Sequence, residues 1–164
     1  MTLNQKLCIM KADLCYTIVE RHFGRQFNRI PIEFSNRMIK TAGKFTYLGD
    51  LAMHIRLSNV ILEDNAVDFV KRTVGHEIAH HIVHELYGCN AQPHGAEWKY
   101  VMKLLGQEPS RCHNYKTVQN KVKYIVEGEE YFLGKIQHGR CQRGQTYING
   151  KTKAKITASA WVGA

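Results

Sequence analysis

The sequence predicts an α+β fold in two parts: helices packed on a small sheet over residues 1–109, then a basic β-rich appendage over residues 110–164. Three observations predict it. Helical periodicity over 3–23 and again over 65–105 brackets a run of short strand patterns. After Pro109 the pattern changes to short alternating segments. The charge changes there too: residues 1–109 hold 13 Lys+Arg against 11 Asp+Glu, residues 110–164 hold 10 against 3, and the chain totals +9.

Residues 3–23 form the first helix, with Leu3, Leu7, Met10, Leu14, Ile18 and Val19 on its predicted apolar face. Strands are predicted at Ile30–Phe34 and at Ala52–Leu57, the latter after the turn-forming Gly49-Asp50, with a third at Ala42–Tyr47. Asp64-Asn65 offers an N-cap to a long helix over 65–87 that stops at Gly88. That helix is apolar on most faces, which marks it as buried. Pro93 suits the first turn of a second helix ending near Leu105, whose inward stripe is Trp98, Val101, Met102 and Leu105, with His94 in line with it. The appendage shows strand patterns at Lys121–Val126, Glu130–Gly134 and Thr146–Ile148.

No apolar run nears the roughly 18 residues that span a bilayer, and Met1 to Lys11 lacks the apolar stretch of a signal peptide. Five cysteines without a CxxC argue against a disulfide framework, and Cys8 and Cys15 read as small core residues. The expectation is a soluble, cytoplasmic protein, reaching nucleoid or nucleus through DNA, with no membrane partner. The basic last third suggests a polyanion. Weak, sequence-independent nucleic-acid contacts are expected from Lys121, Lys123, Lys135, Arg140, Arg143, Lys151, Lys153 and Lys155; a solvated basic surface is the plainer alternative.

His76-Glu77-Ile78-Ala79-His80 is an HExxH motif. Residues i and i+4 stack on one helix face, so two imidazoles reach one ion while Glu77 lies beside its open position. Catalytic zinc takes three protein ligands. His84 lies two turns from His76, about 12 Å along the axis, too far to join it on a straight helix. His81 lies on another face. Glycine at 83 and histidine at 86 would make a metzincin, but Val83 and Leu86 stand there. The third ligand therefore comes from the second helix: His94, with Glu97 as competitor. The cofactor expectation is one Zn2+ per chain, held by His76, His80 and His94, with Glu77 as general base.

HEIAHH followed by PHGAEWKYVMKLLG resembles the SprT-like domain, shared by bacterial SprT proteins and the Spartan DNA–protein crosslink proteases. Ala42-Gly43-Lys44 and Ile55-Arg56-Leu57-Ser58 match upstream steps of that family. The resemblance implies a zincin-like metallopeptidase domain acting on DNA-associated proteins. Arg111-Cys112-His113-Asn114-Tyr115 resembles the segment before the family's zinc ribbon, and His138 to Gly144 resembles ribbon sequence without its cysteine pairs. A degenerate, metal-free ribbon is the expectation for the appendage. Arg111, His113 and Tyr115 are candidates to stabilise the oxyanion. Two other functions compete: a cytosolic peptidase without a nucleic-acid role, and a non-catalytic DNA-binding module with structural zinc.

Overall fold

The computed structural model describes residues 1–110, Tyr115 and residues 121–163, with Lys121 and Lys135 described by backbone alone. The chain divides into two units, Met1–Thr117 and Val118–Ala164.

In the first unit α1 runs Leu3–Phe23. Thr2 Oγ1 accepts from the Gln5 amide while Gln5 Oε1 accepts from the Thr2 amide, a reciprocal cap that fixes the start. Left-handed Gly24 (φ 64°) ends it. The buried face is only partly the predicted one: Cys8, Cys15 and Val19 are inside as expected, whereas Leu3, Leu7, Met10 and Leu14 are not. Cys8, Ala12, Cys15, Tyr16 and Val19 face the core, while Leu3, Met10 and Leu14 are 72%, 66% and 52% exposed. Small cysteine and alanine side chains let α1 lie close against the helix behind it, and that close approach outweighs the larger transfer energy of the Leu and Met side chains. Burial pushes both thiols up to about 11, so they stay protonated and inert.

Three strands follow: β1 Ile32–Ser35, β2 Gly43–Leu48 and β3 Leu51–Ser58, in the order β1-β3-β2. β1 pairs parallel with β3, and β2 pairs antiparallel through the Gly49-Asp50 turn, where Gly49 takes φ 56°. Ile55 and Leu57 of β3 are buried, whereas Arg56 between them points outward to Glu33 at 2.7 Å. β2 is left as an edge strand.

A short helix, α2 Asn59–Asp64, follows directly, where the sequence suggested none. Its cap is Ser58, whose Oγ accepts from the Ile61 amide at 3.1 Å. The run Val60-Ile61-Leu62 masks it, because a short apolar stretch has no helical period of its own. The predicted helix 65–87 is in fact three pieces: a turn α3 Ala66–Asp68, a π-helical turn Phe69–Thr73, and α4 Val74–Tyr87. The Asn65 side chain does not cap this run; it donates to the Ile61 carbonyl at the end of α2. Helix α5 is Ala96–Leu104. Phe69, Ile78, Ile82, Trp98 and Val101 form the middle of the core, with α1 and the sheet around them.

The second unit starts with a hairpin, β4 Lys121–Val126 and β5 Glu129–Gly134, turned by Glu127 and Gly128 at φ 53° and 84°. Helix α6 Lys135–Gln142 and the short pair β6 Tyr147–Ile148 with β7 Lys155–Ile156 complete it. Tyr124, Tyr131, Leu133, Cys141 and Ile156 form its small core. The segment that resembles a ribbon turn is helical as far as Gln142. The chain is thus a mixed α/β protein of helices and small sheets. No helix among the described residues is long and apolar enough to cross a membrane.

Candidate metal centre

Helix α4 presents His76 and His80 one turn apart, and their Nε2 atoms lie 3.2 Å from each other. His94 brings its Nε2 to 3.0 Å from His76 and 3.1 Å from His80. Among the described residues this is the one cluster of three or more His, Cys, Asp or Glu side chains whose donor atoms could share a metal ion. Three ring nitrogens aimed at one another can each offer one lone pair from a neutral imidazole to a shared ion. A cation resolves the arrangement. Nitrogens on a tetrahedral zinc with Zn–N of about 2.0–2.1 Å stand about 3.3 Å apart, close to the observed edges. The residues fit the ion. Burial, then the neighbouring His94, holds His80 down to about 4, so its imidazole is neutral and its lone pair available near pH 7.

His94 arrives by a route that differs from the one predicted. It is not in the first turn of α5, which begins at Ala96 behind the N-cap Gly95. It sits in the preceding loop with φ 60°, a left-handed conformation uncommon outside glycine. Pro93, read as a helix start, instead lies inside that loop. Glu97, the competing ligand, is outside the cluster and turns its carboxylate toward Gly95.

Trp98 is fully buried and packs against all three imidazoles. Its ring stacks on His80 at 5.5 Å and meets His76 and His94 edge-on at 4.8 and 4.6 Å. Its Nε1 donates to the His76 carbonyl at 3.4 Å. These contacts hold all three imidazoles, which is how a ligand set is kept in position.

Glu77 is 5% exposed and points into the same cleft, a cavity of about 520 Å³ walled by β2, α4 and the His94 loop. Its Oε2 accepts from the Phe45 backbone amide at 2.8 Å. Burial pushes this carboxyl up to about 7, against the lowering effect of the Phe45 amide. A cation among the imidazoles would draw it back down. Gly43 makes room for it: a Cβ there would fall 2.7 Å from Glu77 Cγ and Oε1. Neither the Phe45 amide nor the Gly43 space is visible in a residue pattern.

The other histidines of α4 play different parts. His84 Nε2 lies 2.9 Å from the Gly49 carbonyl, tying α4 to the β2–β3 turn. His81 is buried, with Nδ1 2.8 Å from the Tyr16 hydroxyl of α1. Of the oxyanion candidates, Arg111 and His113 lie outside the described residues. Tyr115 reaches the cleft wall, but its hydroxyl lies 2.9 Å from Thr73 Oγ1 and donates to the Asp68 carbonyl at 3.2 Å.

In the second unit Arg140, Arg143, Lys151, Lys153 and Lys155 are exposed, and Lys123 pairs with Glu130 across the hairpin. The side chains of Lys121 and Lys135 lie outside the description. His138 Nδ1 is 2.9 Å from the Tyr124 hydroxyl, and the buried Cys141 directs its thiol at the Ile156 carbonyl.

Comparison with known proteins gives a consistent picture. The family model described as SprT-like family matches residues 12–122. Curated relatives called Protein SprT match over nearly their full length. The one from Pseudomonas syringae pv. syringae is 31% identical over 158 residues, covering 91% of this chain and 92% of its own. That from Pseudomonas putida (strain W619) is 32% identical over 162 residues, covering 94% and 95%. That from Pseudomonas entomophila is 34% identical over 151 residues, covering 87% and 88%. No solved structure matches the chain significantly.

Proposed function

The chain belongs to the SprT-like family, and on that premise we propose that it is a zinc-dependent metallopeptidase of zincin-like architecture acting on proteins associated with DNA. The observation that carries the reading is the meeting of three imidazole nitrogens 3.0–3.2 Å apart beside one buried carboxylate. His76, His80 and His94 would hold the ion. Zinc held there would supply a Lewis acid and would make a water molecule acidic enough to attack near neutral pH. Glu77 takes the proton of the attacking water and returns it to the leaving amine. The Phe45 amide fixes which Glu77 oxygen stays engaged and leaves the other to move the proton. A site serving only structure has no use for a base in this position, which disfavours the non-catalytic module.

The DNA part of the proposal rests on charge. The exposed Arg140, Arg143, Lys151, Lys153 and Lys155 suit a basic unit that touches phosphates. Metal analysis and cleavage of a DNA-binding protein, with and without single-stranded DNA, test the whole reading. One zinc per chain, cleavage, and stimulation by DNA are expected. Cleavage indifferent to DNA leaves a peptidase without a nucleic-acid role, and a zinc protein with no cleavage of any protein or peptide refutes the enzyme.

A further inference from the structure

A second cavity, of about 250 Å³, shares the His76 wall with the catalytic cleft and lies between α1, the π-helical turn and the end of α5. Lys11 of α1 and the consecutive Lys71 and Arg72 of the π-helical turn line it, with Gln107 and Glu108 opposite. His76 and Ser110 complete its wall. Three cations therefore face one carboxylate, and none of the three makes an ion pair among the described residues. Such a group outside any pairing is the electrostatic form of an anion site.

Two further features single the cavity out. The π-helical turn Phe69–Thr73 interrupts regular helix on both sides, a local widening that recurs at functional sites. It places Lys71 and Arg72 side by side in sequence at the cavity wall. The cavity also holds a polar group without a partner. The Gln107 amide packs on the α4 backbone, where a Cβ on Gly75 would come 1.8 Å from its Nε2, and neither Nε2 nor Oε1 is hydrogen-bonded to a described group. Buried amides are nearly always paired, so this one calls for a ligand or an ordered water.

We propose that this cavity is a phosphate-binding site, with Lys11, Lys71 and Arg72 as its cations and the Gln107 amide, buried in the wall against Gly75, swinging in as a neutral donor when the anion binds. Arg72 offers a planar fork of donors that matches phosphate oxygens, and the two lysines add point charge. Glu108 is exposed and can turn to solvent when an anion enters. The phosphate is either a free anion or one unit of a nucleic-acid backbone; both present the same oxygens. The site would put a phosphate contact on the first unit, independently of the basic second unit and of the peptidase reading.

Binding measurements on the full chain decide it, with inorganic phosphate followed by calorimetry and a labelled single-stranded oligonucleotide followed by anisotropy across salt concentrations. Each lost contact to a single strand should remove about 0.7 from the salt slope, which is about fivefold in affinity at 0.1 M relative to 1 M salt. K71A/R72A should therefore bind the oligonucleotide about 25-fold more weakly at 0.1 M salt, with a slope shallower by about 1.4. Q107L should weaken phosphate binding without lowering thermal stability, since it removes a group that lacks a partner. Loss of both ligands in K71A/R72A supports a site for any phosphate, and loss of the oligonucleotide alone supports a backbone contact. Unchanged affinity and slope for both ligands overturns the proposal. None of these readouts requires peptide cleavage, so a protein that binds phosphate here yet cleaves nothing would sink the peptidase reading and leave this one standing.

Discussion

Replacing Gly43 with alanine tests how the Glu77 carboxylate is held. The added Cβ would sit 2.7 Å from Glu77 Cγ and 2.9 Å from Cδ, about 1 Å inside an ordinary carbon–carbon contact of 3.5–4.0 Å. Gly43 is not in the left-handed region, so the penalty is steric and not one of backbone conformation. Glu77 cannot retreat easily: it is buried on α4 and held by the Phe45 amide at 2.8 Å. Overpacking of this kind costs about 1–3 kcal/mol, and losing the Phe45 hydrogen bond adds to it. Glu77→Ala removes the atoms that are struck, so Gly43→Ala should cost little in that background. The assay is a double-mutant cycle: urea unfolding of the four proteins with chelator present, so that metal affinity does not enter. A coupling energy of about 2 kcal/mol is expected. Gly43→Ala alone should also keep its zinc and lose about 100-fold in cleavage, because a misplacement of about 1 Å is that costly to a reacting group. Additivity within about 0.5 kcal/mol would refute the argument that Gly43 exists to seat Glu77.

Glu77→Gln should keep zinc by metal analysis and abolish cleavage; activity within tenfold of the parent would exclude Glu77 as the base. His94→Ala should lose zinc in a competition titration while Glu97→Ala keeps it, and the reverse pattern would reassign the third ligand. Burial, followed by the charges of His84 and Arg29, holds the His81 imidazole down to about 4, against the pull of the Glu85 carboxylate 3.2 Å from its Nε2. A histidine depressed in the folded state contributes stability that is present above its unfolded value of about 6.5 and is lost as pH falls towards 4. Relative to His81→Gln, the parent should lose about 2 kcal/mol between pH 7.5 and pH 5 in chelator-treated urea unfolding, and a difference independent of pH would contradict a neutral buried His81.

Much of this was legible in the residues, and the failures have identifiable causes. The ends of α1 and the strand positions follow from caps, turns and periodicity. The buried side of α1 follows only in part: Cys8, Cys15 and Val19 read as core, but the large apolar side chains at 3, 7, 10 and 14 outscore Ala12 on any count of hydrophobicity and yet stay exposed. His76, Glu77 and His80 follow from spacing on one helix. His94 could be named, but its loop conformation could not, since Pro93 suits a first helical turn as well as a loop. The Phe45 amide, the Gly43 space and the Gln107–Gly75 contact are long-range encounters between elements, and no local pattern carries them.

The left-handed backbone at His94 bears on the lifetime of a bound ion. Two of the three imidazoles sit on one helix and move together. The third is carried by a tight turn in which the Gly95 amide donates to the Gln92 carbonyl at 2.9 Å and a Cβ on Gly95 would collide with that same oxygen. For an ion held by the three imidazoles, ligand loss would then be ordered: the loop-borne imidazole would let go first, leaving the ion on the helical pair for a chelator to capture. The exchange half-time then reports the opening of this turn more than the strength of any one bond. A substitution at Gly95 that strains the turn should shorten the half-time even though every ligand remains.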